Sequence, residues 1–175
     1  MVKIIAIVTT ILIAGVLVFA ASLPDIFRVQ RSVSIKAPPE KVFGLINDFK
    51  LWASWSPWEK KDPAMKRTFG AVAAGVGATY AWDGNGDVGQ GSMEITDSLA
   101  SSRIVLRLDF VKPFEGHNTV EFTLQPRGNM TKVTWAMQGP TPYFAKIIHV
   151  FINMNNMVGG DFETGLANLK AAVEQ

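Results

Sequence analysis

The chain has 175 residues, 48% of them hydrophobic, with 17 Lys and Arg against 15 Asp and Glu and no cysteine. Without cysteine there is no disulfide, no thiolate nucleophile, no Cys-type zinc site and no cysteine-borne lipid. The formal charge of +2 comes from basic residues scattered among acidic ones, so nucleic acid finds no electrostatic footprint.

The first predicted element is an apolar run of 18 residues from Ile4 to Ala21, interrupted only by Thr9, Thr10 and Gly15. As a helix it spans roughly 27 Å, close to the hydrocarbon thickness of a bilayer. A cleaved signal peptide is the rival: Met1-Val2-Lys3 is a short basic start and Ala20-Ala21-Ser22 an acceptable exit. The run exceeds the roughly 7–15 apolar residues of a signal sequence, which favours a retained single-pass anchor over residues 1–24 and one domain over 25–175. The side of the membrane stays open. Arg28, Arg31 and Lys36 after the segment outweigh Lys3 before it, which favours a cytoplasmic domain, whereas an uncleaved N-terminal anchor commonly places its domain outside.

After Pro24, Arg28 to Ile35 alternates and reads as a strand, with Val29, Val33 and Ile35 on one side and Arg28, Arg31, Ser34 and Lys36 set against them. Ala37-Pro38-Pro39-Glu40 stops the strand and starts a helix that carries Val42, Phe43, Leu45 and Ile46. A second short helix or turn holds Leu51, Trp52 and Trp55 before Pro57. Short strands are expected at Lys66–Phe69 and Gly77–Trp82, followed by alternating runs around Met93 and Ile95, Ile104–Phe110, Val120–Leu124 and Val133–Met137. The turns fall at Asn85-Gly86, Lys112-Pro113 and Pro126-Arg127-Gly128-Asn129. Such alternation predicts an antiparallel sheet with one buried face. From Pro142 to Glu174, Phe144, Ile148, Phe151, Asn155, Val158, Phe162, Leu166, Leu169 and Val173 recur at helical spacing, with Gly159-Gly160 expected to kink or split the helix.

The chain resembles the helix-grip superfamily of START-like and SRPBCC domains, most closely its bacterial polyketide cyclase/dehydrase-like group. The residues that carry this are Ile35-Lys36-Ala37-Pro38-Pro39-Glu40-Lys41-Val42-Phe43, Ile46-Asn47-Asp48-Phe49 and Trp52-Ala53-Ser54-Trp55-Ser56-Pro57-Trp58. They continue in Gly75-Val76-Gly77-Ala78 with Tyr80 and Trp82, then Gly160-Asp161-Phe162-Glu163, Gly165-Leu166 and Leu169-Lys170. The resemblance implies an α+β fold in which a curved antiparallel sheet of about seven strands wraps a long C-terminal helix, with two short helices after the first strand. It also raises the expectation of an apolar cavity between sheet and helix.

Each motif has a plain alternative. Trp52, Trp55 and Trp58 either plug the core or line a cavity mouth, with Trp58 the candidate for ligand contact because Pro57 turns the chain outward. Tyr80, Trp82, Met93, Ile95, Leu108, Phe110, Phe122, Trp135 and Met137 are expected to face Phe151, Met154, Asn155 and Val158, around either a solid core or a guest. Methionine thioethers adapt to irregular guests. Asn155, an amide within an apolar stripe, needs a partner or a ligand. Asp83, Asn85, Asp87 and Glu94 match part of a calcium-loop template, but Val88 stands where glycine is required. Gly84-x-Gly86-x-x-Gly89 precedes a strand instead of a helix and is no dinucleotide fingerprint. The only histidines, His117 in an expected hairpin loop and His149 beside the helical stripe, lack the setting of a metal or catalytic site.

The expected function is therefore a membrane-tethered domain that binds an apolar or amphipathic, lipid-like molecule, with no cofactor and no metal. The binding set is Trp58, Tyr80, Trp82, Met93, Leu108, Phe110, Phe122, Trp135, Met137, Phe151, Met154 and Asn155. Two alternatives remain. A cyclase or dehydratase would need Tyr80, Asp83 or His149 inside the cavity. An interaction domain with a filled core would present an exposed apolar patch.

Overall fold

The computed structural model describes residues 1–151 and 154–175, with the side chain of Met154 also outside the described set. The apolar N-terminal run forms α1 (Val2–Ser22), a helix long and apolar enough to cross a membrane, with mean hydropathy 2.8 and 6% of its apolar window buried. That exposure argues against a soluble core helix, which would hide its apolar surface. Only Ala20 of α1 is buried.

The domain opens with β1 (Ile26–Ile35), two residues longer than its alternation indicated. Pro39 then occupies the first turn of α2 (Pro39–Asn47), where its missing N–H costs nothing. A 3-10 helix follows at Phe49–Ser54, started by Asp48, whose side chain accepts from the Lys50 amide. Pro57 opens a further short helix, α3 (Pro57–Lys61), instead of merely ending one. Three short helical pieces thus stand where two were expected.

Strands β2 (Lys66–Phe69), β3 (Thr79–Asp83), β4 (Gln90–Leu99), β5 (Arg103–Lys112), β6 (Gly116–Arg127) and β7 (Met130–Pro140) complete one seven-stranded sheet. Its order is β1-β7-β6-β5-β4-β3-β2, and every neighbouring pair is antiparallel. The α+β helix-grip class is therefore as the sequence indicated. His117 lies in β6, not in the hairpin loop expected for it.

The register fixes which features share an end of the sheet. Ile26 pairs with Pro140, Phe110 with Gly116, Gln90 with Lys112 and Lys66 with Asp83. The exit of α1, the β5–β6 turn, the β3–β4 turn and the chain leaving β7 therefore lie at one end, here called the anchor end. Leu99 pairs with Arg103 and Met130 with Arg127 at the other.

The described C-terminal helical residues fall in α4 (Tyr143–Phe151) and α5 (Met154–Val173). α5 continues as helix through Gly159-Gly160 and is not split there. A Cβ on Gly159 would stand 2.1 Å from Arg31 Nη2, so glycine here admits a side chain from β1. Arg31 shares the parity of Val29 and Val33 and lies on the inner face, its charge notwithstanding.

The core is aromatic. Trp135 of β7 stacks on Phe162 of α5 at 4.2 Å and 10°, while Trp55, Trp58 and Phe122 close around the same indole. Phe162, Leu166, Leu169 and Val173 form the buried face of α5. Replacing Phe162 by alanine is expected to cost about 3–5 kcal/mol, because a large cavity would open against Trp135. Chemical denaturation of the full chain followed by tryptophan fluorescence measures it, and a loss below about 1 kcal/mol would mean that the stack does not seat α5.

Candidate functional site between sheet and helix

Two indole N–H groups fix the floor of the grip. Trp52 Nε1 donates to Ile46 O at 2.9 Å and Trp55 Nε1 to Leu45 O at 3.1 Å, so the 3-10 helix is tied back onto α2 with both rings turned inward. α5 covers β1 and β7 and leans on α2, α3 and the 3-10 helix, whereas β3, β4 and β5 make no comparable contact with it. The inner face of those three strands is nonetheless largely buried, with Ile95, Ile104 and Leu106 sealed and Tyr80, Trp82 and Leu108 keeping less than a tenth of their surface, while Met93 and Phe110 toward the anchor end stay part-exposed.

The expected binding residues divide accordingly. Phe122 and Trp135 are sealed in the aromatic core, and Trp58 is part-buried against Trp135 and Phe162. Tyr80, Trp82, Met93, Leu108 and Phe110 lie together on the inner face of β3–β5, where Tyr80 pairs with Met93, Met93 with Leu108 and Gly91 with both Trp82 and Phe110. Met93 and Phe110 keep part of their surface accessible. Gly91 makes room for the Trp82 ring, since a Cβ there would stand 2.6 Å from it. The ring meets Phe110 edge-on at 5.8 Å, and its Nε1 donates to Val88 O. Met137, buried on β7 beside Val120, borders the same area.

Two expected members point elsewhere. Phe151 is 73% exposed, and Asn155 is exposed with its amide engaged at β1. Arg31 Nη1 donates to Asn155 Oδ1 at 2.9 Å, Nη2 to Asn155 O at 3.0 Å, and Nε to Glu163. The partner that Asn155 required is an arginine from the inner row of β1, not a guest. The side chain of Met154, another expected member, lies outside the described residues.

Sequence reasoning missed the polar end of this face. The Tyr80 hydroxyl donates to Glu59 Oε1 at 2.8 Å, and Arg67 Nε donates to Glu59 Oε2 at 2.7 Å. Burial, then the bond to Glu59, push the Tyr80 phenol far above its usual range, which makes it a poor proton donor at neutral pH. Asp62 beside them accepts from the Ala64 and Asn85 amides. Asp83 is exposed, and His149 on α4 stands edge-on to Phe27 at 6.3 Å. Trp135 Nε1 is buried and, among the described residues, has no hydrogen-bond partner, an omission that costs about 1–3 kcal/mol.

Two surface concavities measure about 170 and 210 Å³; the first, at β2–β5, is lined by Phe69, Tyr80 and Met93 together with Thr79, Glu94, Arg107 and Asp109, and the second lies on the outer face of β1, β6 and β7. Paired charges occupy the first, where Arg107 bridges Glu94 and Asp109. The second is polar, lined by Arg28, Gln30, Glu121 and Lys132 among others. The second does not suit an apolar guest.

Strand order, seated helix and inner face together define a helix-grip domain. Residues 27–174 match the family model described as polyketide cyclase / dehydrase and lipid transport, and the chain belongs to that family. Among solved structures it is similar to protein CV1439 from Chromobacterium violaceum, at 18% identity over 87% of this chain and 99% of that one, with TM-score 0.61. The Aha1 dimer from Colwellia psychrerythraea matches at 19% identity over 85% and 96% of the two chains, TM-score 0.61. DynU16, from the dynemicin biosynthetic locus, matches at 18% identity over 87% of this chain and 48% of its own, TM-score 0.60. At these identities the likeness speaks to the fold. No curated protein matches the chain in sequence.

Two titrations check the electrostatics. The hydrogen bond to Asp109 raises His117 above 6.5, and desolvation lowers His149 below it. The His117 contribution to stability is therefore present below about pH 6.5 and lost as pH rises through its higher folded value, whereas charging His149 opposes folding as pH falls. NMR of the ring protons should give midpoints on opposite sides of 6.5; a reversed order contradicts these contacts. For Tyr80, the ultraviolet tyrosinate titration up to about pH 11 should be the same in wild type and Tyr80→Phe. A component lost in the variant within that range would mean that the phenol is not held by Glu59.

Proposed function

We propose that this chain is a membrane-tethered carrier or sensor domain that holds one apolar or amphipathic, lipid-like molecule against the inner face of β3–β5, with α1 as the anchor. The observation that carries the reading is the pair of part-exposed side chains Met93 and Phe110, set over buried Trp82 and Leu108 on a stretch of sheet that α5 does not reach. Burying such side chains against a guest is worth about 25 cal/mol per Å² of apolar area removed from water. Lipid transport in the description of the family points the same way. Tyr80, Glu59 and Arg67 supply polar groups at the margin of this surface, where the head of an amphipathic guest could be recognised.

The cyclase or dehydratase reading is weaker on one physical ground. Its best-placed proton donor, Tyr80, is committed to Glu59 and raised in pKa, which opposes proton release near neutrality.

Binding of a fluorescent long-chain fatty acid to the full chain in nanodiscs tests the proposal. Met93→Trp, which enlarges a part-exposed residue of this face, should weaken binding at least about tenfold, whereas Leu99→Ala at the far end should leave it unchanged. Equal affinity in wild type and Met93→Trp would overturn the assignment of the site.

A further inference from the structure

α4 is an apolar helix that the domain hardly holds. Its sequence, Tyr-Phe-Ala-Lys-Ile-Ile-His-Val-Phe, leaves Phe144 68% and Phe151 73% exposed, and its main packing partner is α1. The Tyr143 hydroxyl donates to Leu17 O at 2.9 Å, and the anchor residue Ala20 is fully buried. Where α1 leaves off, Lys146 Nζ reaches Asp25 at 2.6 Å and the Thr141 amide donates to Asp25 O, so both sides of the junction are pinned.

Depth along α1 then places α4. Leu17 is five residues before Ser22, the last residue of α1, so the Tyr143 hydroxyl sits roughly 7 Å inside its C-terminal end. Interfacial helices bury their apolar face about 5–10 Å into the headgroup and acyl boundary, and tyrosine collects at that level. The register adds a second element at the same end of the domain: the β5–β6 turn, with Val111 and Phe114, the latter 67% exposed. The Lys146 charge is neutralised by Asp25, so it does not oppose contact with lipid.

We infer that α4 and the β5–β6 turn form a second membrane contact, a docking face on the lipid surface that holds the anchor end of the sheet flat against the bilayer in which α1 sits. This rests on α1 being a membrane anchor. Its consequence is directional, because the part-exposed Met93 and Phe110 near the anchor end of β4 and β5 then stand beside the lipid, and a guest can pass to them without crossing water.

The chain has no cysteine, so single-cysteine variants carry a fluorophore at one known place. The full chain is reconstituted in phosphatidylcholine vesicles containing brominated acyl chains, with probes on Phe114→Cys, Phe144→Cys, Phe151→Cys, Leu99→Cys and Ile11→Cys. All but the last are exposed positions on the domain, and Leu99 lies about 30 Å from the anchor end along β5. Probes at 114, 144, 151 and 11 should lose most of their emission to bromine, and the probe at 99 should keep it. Quenching at 11 with bright probes at 114, 144 and 151 overturns the docking face while leaving the anchor intact. Unquenched but blue-shifted emission at 144 and 151 also overturns it, because a protein would then cover α4. A bright probe at 11 removes the anchor and the docking face together, and quenching at 99 equal to that at 144 shows no docked orientation.

Discussion

The Trp135 ring lies face to face with Phe162 at 4.2 Å, while Trp55 and Trp58 make T-shaped contacts with it and Phe122 packs at a tilt of 33°. Gly165 permits this approach of helix to sheet, since a Cβ there would stand 2.7 Å from the Trp135 ring and 3.1 Å from Pro57. Stacked aromatic pairs add about 0.5–1.5 kcal/mol beyond their area burial, and here one indole collects several such contacts from β6, α3 and α5. The position of α5 over β1 and β7 follows from that contact, as does the filled centre of the grip.

A filled centre displaces any room for a guest toward the strands that the helix does not reach. Met93 and Phe110 stay part-exposed there over buried Trp82 and Leu108, and the Tyr80–Glu59–Arg67 cluster borders them. Arg31 helps to hold the arrangement from the other side. It passes over Gly159 to bind Asn155 and Glu163, which ties β1 to the first half of α5. The ion pair itself is partly exposed and contributes little; the bonds to the Asn155 amide and carbonyl are the more specific element.

Much of the architecture was legible because a sheet with one wet face writes its period into the sequence. The runs at Ile104–Phe110 and Val133–Met137 gave strands, and Phe162, Leu166, Leu169 and Val173 gave the buried helical face. Errors arose where one residue served a distant partner. The charge of Arg31 suggests an outward side chain, although its parity with Val29 and Val33 places it inward. Gly159-Gly160 looked like a helix breaker, but Gly159 admits a side chain from β1. Asn155 and Phe151 fell on the helical stripe without facing the core, because a stripe records amphipathicity and not which neighbour covers it. Glu59 had no readable signal at all, as its pairing with Tyr80 and Arg67 depends on where α3 and β2 fold.

The central claim is that apolar guests occupy the inner face of β3–β5 at the anchor end and not the aromatic centre. Methyl NMR of the seven methionines, in full chain reconstituted in nanodiscs with a spin-labelled fatty acid, addresses it directly. Met93 and Met137 should broaden on addition of the label, and Met130 at the opposite end of the sheet should not. Unchanged Met93 and Met137 signals at saturating label, or equal broadening of Met130, would contradict it.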